Sequence, residues 1–345
     1  MDFGYSCETF EYTTEDGYVL EADRVAAPKK GIGANLFAPH HNPIILVPGI
    51  LSECGTWFLN FPSQSPGYLL ADHGFDVWAM NTREIAARSR SIHNLQQNDD
   101  RYWQWSFNEI GRYDVAAAID LVLNTTGAPK VTLLAFSQGF TSSLVLLSTR
   151  PEYNDKVDLL MGYGPVANLS GIQFPFPEII AFSDPIFLLL DPIGDSGYFF
   201  LPDAPRDAMQ AICDNYKGEL CSTSLVVTMV SSPEEVNKTR MSVILAHYPI
   251  GTSYQNLRHF AQMVPPDYPV EQIRVPVALF SSEGDTVADP DDVAALAEAL
   301  DPTLLFHHIV PPKDFRHMDF VLGHRCTDIL HEKMLGTIDG NIPTR

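Results

Sequence analysis

The chain has 345 residues, of which 45% are hydrophobic and 19% are charged. This composition is typical of a folded globular protein and excludes an intrinsically disordered chain. With 22 basic and 43 acidic residues the formal net charge is -21, and such a field repels nucleic acid and anionic membrane surfaces. We therefore expect no nucleic-acid partner, and any contact with lipid should be apolar.

Two kinds of hydrophobic segment are missing from the sequence. It contains no apolar run of about 18 residues or more, so no integral membrane segment is expected. The first residues, "MDFGYSCETF", lack the basic and apolar regions of a signal peptide. The protein is therefore either cytosolic, or its leader is missing from this sequence.

Other features favour secretion without deciding it. Glycosylation sequons begin at Asn124, Asn168 and Asn237. Of the five cysteines, Cys213 and Cys221 are near enough to close a short loop, which leaves Cys7, Cys54 and Cys326. An odd count requires at least one free thiol or an intermolecular bond. Five unpaired thiols in a reducing compartment remain the alternative.

The chain opens with a predicted β-hairpin, because "ETFEYTT" and "YVLEADRV" flank the strong turn signal Asp16-Gly17. Short apolar runs separated by helical patterns follow at 43–49, 75–80, 131–136, 157–164, 275–282 and 303–310. One of the intervening helices starts at the capping box Ser106–Glu109. Alternation of strands and helices implies right-handed crossovers and a mostly parallel sheet covered on both faces. The prediction is an α/β fold with eight strands.

The segment between the 157–164 and 275–282 strands is far longer than one crossover helix needs. Residues 165–272 are rich in proline and bulky apolar side chains. We interpret them as a mainly helical cap inserted between two parts of one core, 1–164 and 273–345. The cap is expected over the carboxyl ends of the strands, where open α/β sheets bind ligands. Alternatively, its apolar residues only form the core of a small subdomain.

The strand "VTLLAF" stops abruptly at Ser137, and a helical pattern begins at once. The small residues Ala135 and Gly139 flank the serine two positions away, as in the G-x-S-x-G nucleophile elbow, where strand and helix approach closely. The string alone is a weak signal, because most such strings are simple turns. A serine nucleophile also needs a base, and a carboxylate that orients the base.

Two aspartates after the 275–282 strand compete for the carboxylate role. Asp289 precedes Pro290 and an alanine-rich helix, so it is predicted to be the N-cap. Asp285 lies in the loop directly after the strand and has no such structural role. We therefore assign Asp285 to the triad.

His317 is the predicted base. It follows the last strand, in the chain order Ser, Asp, His that this type of site has. A solvated histidine is the usual explanation for a lone loop position, and His307 and His308 lie inside the strand as packing or edge residues. Three residue types in the right order on the right loops are nevertheless hard to obtain by chance.

Acyl transfer also needs hydrogen-bond donors for a developing oxyanion. One candidate is the backbone N–H of Gln138, directly after the serine, and the other is the N–H of Ile50, after Gly49. Gly49 is equally compatible with a simple turn. No metal or organic cofactor is expected, since the sequence has neither zinc-ligand spacing nor a phosphate-binding glycine loop.

Longer segments resemble the acid lipase family of gastric and lysosomal lipases. The similarity is carried by "TTEDGYVLEADR", "LADHGFDVWAMNTR", "WSFNEIGRYDVAAAIDLVL", "AHYPIGTS", "DTVADPDDV" and "RHMDF". The resemblance implies an α/β-hydrolase fold with the nucleophile, acid, base and two oxyanion donors at Ser137, Asp285, His317, Ile50 and Gln138. It also implies a cap disulfide between Cys213 and Cys221, and a secreted or lysosomal protein.

The sequence departs from the family motifs in three places. The usual G-H-S-Q-G is A-F-S-Q-G, the usual H-G-L is Pro48-Gly49-Ile50, and the usual N-S-R-G is Asn81-Thr82-Arg83-Glu84. No catalytic side chain is removed. Pro48 and Phe136 do alter the wall around the serine, so substrate preference does not transfer from the family.

These features favour a serine ester hydrolase that acts on neutral lipid esters, such as triacylglycerols or steryl esters, at a lipid–water interface. A soluble carboxylesterase with a permanently open cap is the second hypothesis. A non-catalytic lipid-binding or storage protein on the hydrolase scaffold is the third. Such proteins often lose the serine or the histidine, and here both are present.

Overall fold

The computed structural model describes residues 2–28, 42–93, 95–171, 198–199, 235–261 and 268–340. Eleven strands occur in these ranges: β1 Ser6–Thr13, β2 Tyr18–Ala26, β3 Ile44–Val47, β4 Val77–Met80, β5 Ser89–Ser91, β6 Val131–Phe136, β7 Val157–Tyr163, β8 Tyr198–Phe199, β9 Thr252–Ser253, β10 Val277–Ser282 and β11 Leu304–Val310. Nine of them form one mixed sheet, and β8 pairs with β9 in a separate small sheet.

The main sheet has the order β1-β2-β4-β3-β6-β7-β10-β11, with β5 paired to β2. The β1–β2 and β2–β4 pairs are antiparallel, whereas all pairs from β4 to β11 are parallel. All eight predicted strands therefore form, including the N-terminal hairpin. The count of eight was wrong because β5 also pairs into the sheet. Its three residues are Ser, Arg and Ser, which carry no apolar strand signal.

The two central strands are buried on both faces. Every residue of β3 and β6 is buried, and the side chains of β3 alternate between two apolar clusters. Ile44 and Leu46 enter one cluster, and Ile45 and Val47 enter the other. Each such side chain contributes about 1.5–3 kcal/mol when it is removed from water. The carboxyl ends of these strands are therefore firmly held.

Nine α-helical segments flank the sheet in the described ranges: α1 Pro66–Asp72, α2 Phe107–Glu109, α3 Ala116–Thr126, α4 Gln138–Thr149, α5 Met241–His247, α6 Tyr254–Ala261, α7 Pro290–Ala299, α8 Asp319–Leu322 and α9 Glu332–Ile338. Two π-helical segments, Ile110–Val115 and Thr327–His331, lead directly into α3 and α9. Short 3-10 turns lie at Asp2–Gly4, Cys54–Phe58, Ala86–Arg88, Asp100–Trp103, Pro151–Asp155, Lys238–Arg240 and Val270–Gln272.

The capping box predicted at Ser106 is confirmed. The Ser106 hydroxyl accepts a hydrogen bond from the Asn108 N–H at 3.2 Å, and the Glu109 carboxylate accepts one from the Ser106 N–H at 2.7 Å. The helix that starts there reaches Thr126 through the π-helical segment, which the sequence did not predict. Gly127 ends it in a left-handed conformation.

The structure describes only part of the predicted cap, namely 165–171, 198–199, 235–261 and 268–272. The helices α5 and α6 and the strands β8 and β9 belong to this part. Cys213 and Cys221 lie outside the described residues, so their pairing stays a prediction, as do the cap boundaries. No helix in the described ranges has the length and apolar character needed to cross a membrane.

The structure describes the other three cysteines and the three sequon asparagines. Cys7, Cys54 and Cys326 are free thiols, and only Cys7 is exposed. Among the sequon asparagines, Asn124 is exposed on α3, whereas Asn168 and Asn237 are half-buried. Glycosylation of these side chains stays a prediction.

Candidate active site

Ser137 lies in the turn between β6 and α4. Its backbone has φ 52° and ψ -121°, a left-handed conformation that costs a residue other than glycine about 1–3 kcal/mol. Backbone hydrogen bonds on both sides hold it there. The Ser137 N–H donates to the Tyr163 carbonyl at 3.0 Å, and the Ser137 carbonyl accepts from the Phe140 N–H at 2.9 Å. This sharp, constrained turn is the geometry of a nucleophile elbow.

Gly139 lets α4 begin close to the end of β3. A Cβ atom on Gly139 would lie 2.5 Å from the Val47 carbonyl oxygen and 2.6 Å from the Pro48 carbonyl oxygen. Both distances are shorter than real Cβ contacts. The small residue expected two positions after the serine is therefore required here by the backbone of the neighbouring strand.

The structure brings the three predicted triad side chains into one hydrogen-bonded line. The distance from Ser137 Oγ to His317 Nε2 is 2.8 Å, and that from His317 Nδ1 to Asp285 Oδ2 is also 2.8 Å. Ser137 and His317 are each 5% exposed, and Asp285 is 1% exposed. An arrangement of this kind can transfer the serine proton to the imidazole while the carboxylate orients the ring.

The two competing aspartates occupy the two positions predicted for them. Asp289 is the N-cap of α7 and accepts a hydrogen bond from the Asp291 N–H at 2.9 Å. Asp285 instead faces His317 across the loop that follows β10.

His317 is also positioned by its apolar neighbour. Its ring lies over Phe136, with 5.0 Å between the ring centroids and 34° between the planes. The other two candidate histidines stay in β11, as expected, and His307 Nε2 lies 2.6 Å from the Ser281 hydroxyl. Among the residues that the structure describes, no group of three or more His, Cys, Asp or Glu side chains is arranged to hold a metal ion.

Comparisons with known proteins identify the family of this chain. Residues 42–321 match the family model described as alpha/beta hydrolase fold, and residues 1–61 match the partial alpha/beta-hydrolase lipase region. The gastric triacylglycerol lipase of Mus musculus is 32% identical, over 92% of this chain and 85% of that lipase. The chain belongs to the acid lipase family of α/β-hydrolases.

Other relatives are consistent with this family. Human lipase member K is 29% identical, over 96% of this chain and 88% of that protein. Among solved structures, a putative aryl esterase from Burkholderia cenocepacia has a TM-score of 0.58 at 17% identity and covers 96% of this chain and 98% of its own. An esterase from Thermogutta terrifontis has a TM-score of 0.55 at 14% identity, with coverages of 97% and 100%. These two share the fold. The lipase relatives and the family model identify the chain as a carboxylic ester hydrolase of the serine lipase and esterase class.

The two candidate oxyanion donors follow adjacent strands. Val47 of β3 pairs with Ala135 of β6 in a parallel register. Ile50 and Gln138 each come three residues after these partners, so the two segments leave the sheet side by side. Gln138 is the first residue of α4. The roles of the Ile50 and Gln138 N–H groups as oxyanion donors stay a prediction.

Sequence reasoning missed a buried polar network behind Gln138. The Gln138 side-chain nitrogen donates to the Glu84 carboxylate at 2.7 Å, and the Gln138 side-chain oxygen accepts from the Asn256 side chain at 2.6 Å. The Asn256 oxygen in turn accepts the Phe107 N–H at 2.7 Å. Glu84 and Asn256 are both fully buried. The available signal was the motif departure, which puts a glutamate where the family has a glycine.

A buried ion pair lies next to this network. The Arg83 guanidinium donates to Asp114 at 2.7 and 2.9 Å, and to Asp16 at 2.7 and 2.9 Å. It also stacks over the Tyr18 ring, 4.1 Å from the centroid. Burial raises the pKa of Asp114 to about 6, although Arg83 opposes that shift. The ion pair anchors the loop after β4, which carries Glu84.

Proposed function

We propose that this protein is a serine lipase that hydrolyses carboxylic esters of neutral lipids, with Ser137 as nucleophile, His317 as base and Asp285 as orienting acid. The observation that carries the proposal is the buried line from Ser137 through His317 to Asp285, with both hydrogen bonds at 2.8 Å. No cofactor is needed for this chemistry.

The reaction follows from the geometry. Ser137 Oγ attacks the ester carbonyl carbon while His317 Nε2 takes its proton, and Asp285 stabilises the resulting imidazolium. The N–H groups of Ile50 and Gln138 stabilise the oxyanion of the tetrahedral intermediate. The alcohol leaves with the proton from His317, and an acyl-enzyme remains. Water activated by His317 then attacks the acyl carbon, so the fatty acid is released and Ser137 is restored.

Three observations support a neutral lipid as substrate. A relative of 32% identity is a triacylglycerol lipase. The formal charge of -21 disfavours anionic ligands. The inserted segment 165–272 is rich in proline and bulky apolar side chains, which suit it to cover an acyl-binding groove and to open at a lipid–water interface. Triacylglycerols and steryl esters both fit this chemistry.

We place the protein in the secretory pathway, either outside the cell or in the lysosome. The three sequons and the cysteine pair at 213 and 221 support this location. In that setting the proposal includes glycans on Asn124, Asn168 and Asn237 and a disulfide between Cys213 and Cys221.

The test of the catalytic proposal is covalent labelling with a fluorophosphonate probe. The native protein should be labelled, and Ser137→Ala should not be. Ser143→Ala is a matched control, because Ser143 lies in α4 and its hydroxyl donates to the Gly139 carbonyl of the same helix at 2.7 Å. A folded native protein that resists labelling contradicts the enzyme hypothesis and favours the lipid-storage hypothesis.

The test of the substrate class compares emulsified long-chain triacylglycerol and cholesteryl ester with a short-chain soluble ester. A neutral-lipid lipase should hydrolyse the emulsions faster. Hydrolysis of the soluble ester alone would leave the triad proposal intact and identify the protein as a soluble carboxylesterase.

A further inference from the structure

The loop after β4 places a carboxylate directly behind the elbow. Glu84 is fully buried, and its hydrogen-bond partners are all donors. The Gln138 side-chain nitrogen lies 2.7 Å away and the Thr82 hydroxyl 3.2 Å away. The hydroxyl of Thr252 and the backbone N–H of Leu51 also favour the charged form of this carboxyl.

Two of these residues, Gln138 and Leu51, lie at the two proposed oxyanion donors. Gln138 carries one donor on its own backbone, and Leu51 directly follows Ile50, which carries the other. Leu51 has a left-handed φ of 58°, so the loop after β3 needs support from its surroundings. The Leu51 carbonyl accepts the Ile250 N–H at 2.8 Å, and the Leu51 N–H favours the charged form of the Glu84 carboxyl.

The orientation of the Gln138 amide is fixed at both ends. Its nitrogen donates to Glu84 and its oxygen accepts from Asn256, so a flipped amide would place like groups against each other. These two hydrogen bonds hold the Gln138 side chain in one orientation.

We propose that Glu84 is a positioning residue that holds the Ile50–Leu51 loop and Gln138 in the relative placement the oxyanion site needs. The inference rests on the proposed function, because it concerns the same site. Glu84 itself does not touch the reacting atoms. It acts through Gln138 and Leu51.

The charge state of Glu84 gives this role a pH signature. Burial raises the pKa of the Glu84 carboxyl to about 7. The groups that face it from Thr82, Thr252, Gln138 and Leu51 are uncharged, and the adjacent Arg83 is engaged by Asp16 and Asp114. A carboxylate accepts from both Gln138 and Thr82, whereas a protonated carboxyl has lost one acceptor site. The support should therefore weaken as the pH falls through about 7.

The kinetic test uses Glu84→Ala and Glu84→Gln. The alanine variant should lower kcat about 10- to 100-fold with a smaller change in KM, as expected for a displaced transition-state contact. The glutamine variant, which keeps the size and one acceptor, should recover part of kcat and lose the step near pH 7. Glu235→Gln is the matched control, because Glu235 is a buried carboxylate paired with Arg325. Glu235→Gln should change the free energy of unfolding but not kcat.

A folded Glu84→Ala protein with kcat within about twofold of native overturns the proposal.

A second readout does not depend on activity. In Ser137→Ala protein, the amide NMR signals of Leu51 and Gln138 should shift together with a midpoint near pH 7, and this step should vanish when Glu84→Gln is added. A step that persists in the double variant belongs to another group and overturns the positioning role. Native protein that hydrolyses no ester would overturn the proposed function, and the NMR titration would still decide the role of Glu84.

Discussion

Asp285 presents its two carboxylate oxygens to different partners, and one of them is His317. Oδ2 lies 2.8 Å from His317 Nδ1, while Oδ1 accepts the N–H groups of Val287 and Ala288 at 2.9 Å each. The loop backbone thus fixes one oxygen and leaves the other to orient the imidazole. The carboxylate is in place before any substrate arrives, as electrostatic preorganisation requires.

Asp285→Asn should lower kcat about 10⁴-fold. The asparagine fits the same space, but its side chain can place an N–H toward His317 Nδ1 and select the wrong imidazole tautomer. Initial rates on an emulsified ester give kcat, and circular dichroism verifies the fold.

Asp289→Asn is the control for this variant. Asparagine is as good an N-cap as aspartate, so α7 should keep its cap and kcat should not change. Equal losses in the two variants would mean that Asp285 has only a structural role.

The sequence was sufficient to predict eight strands of the main sheet and the three side chains that the structure brings together after the strand ends, because both depend on local patterns. Apolar runs mark buried strands, and loops after the strand ends carry Ser137, Asp285 and His317. The strand β5 could not be found this way, because Ser89–Ser91 is polar. It pairs with Tyr18–Leu20 of β2, whereas β4 pairs only with the later residues of β2.

The hydrogen-bond network around Glu84 could not be predicted from the sequence either. Its members come from the loops after β4 and β3, from α4 and from the part of the chain around Thr252 and Asn256. No local pattern relates residues this far apart, so only packing reveals that they meet. The predicted oxyanion donors could be named without the structure, whereas the groups that support them could not.

Gly139→Ala should lower the free energy of unfolding by about 1–3 kcal/mol, because the added methyl group collides with the end of β3. The Val47 and Pro48 carbonyl oxygens would have to move away from Cβ distances of 2.5 and 2.6 Å. Since Pro48 precedes the proposed oxyanion loop, kcat should fall about 100-fold as well. Urea unfolding and initial rates measure the two effects.

Gly127→Ala is the control for Gly139→Ala, because it should lower stability without affecting activity. Gly127 has φ +70° and open space around its Cβ position, so alanine costs only the left-handed conformation, about 1–2 kcal/mol. This variant should keep native kcat. A comparable loss of kcat in Gly127→Ala would show that lower stability, and not the displaced loop, explains the Gly139 variant.

Arg83→Ala should lower the free energy of unfolding by about 3–5 kcal/mol, because Asp114 would be left as a buried, unpaired carboxylate. Asp114 is fully buried. The loss should shrink as the pH falls, since a protonated Asp114 leaves no buried charge. Urea unfolding at several pH values measures the trend. Arg90→Ala is the control, because Arg90 pairs with Glu11 on the exposed surface. Arg90→Ala should lower the free energy of unfolding far less. Equal losses in the two variants would show that the buried charge of Asp114 is not the cause.

The last prediction concerns His331, a fully buried histidine that packs against Tyr163. Its ring stacks on Tyr163 with 6.1 Å between centroids, and its Nδ1 lies 3.2 Å from the Tyr163 hydroxyl. Burial lowers the pKa of His331 to about 4, against a usual value of 6.5. Between these two values the unfolded chain binds a proton that the folded chain does not. The contribution of His331 to stability is therefore complete above pH 6.5 and is lost as the pH falls toward 4.

His331→Gln should remove this acid-side loss, because glutamine keeps a polar contact to Tyr163 but does not titrate. The difference in unfolding free energy between variant and native protein should be constant above pH 6.5 and should shift by about 3 kcal/mol in favour of the variant between pH 6.5 and 4.

Glu84 and Asp114 act with the opposite sign, since their raised pKa values of about 7 and 6 make the folded chain bind protons more tightly. Their contribution is present at low pH and fades as the pH rises, and it cancels when the variant is compared with native protein. Urea unfolding of both proteins across this range, with exposed His73→Gln as the control, measures the shift. Parallel stability curves for native protein and His331→Gln would show that His331 is not the group that sets the acid limit.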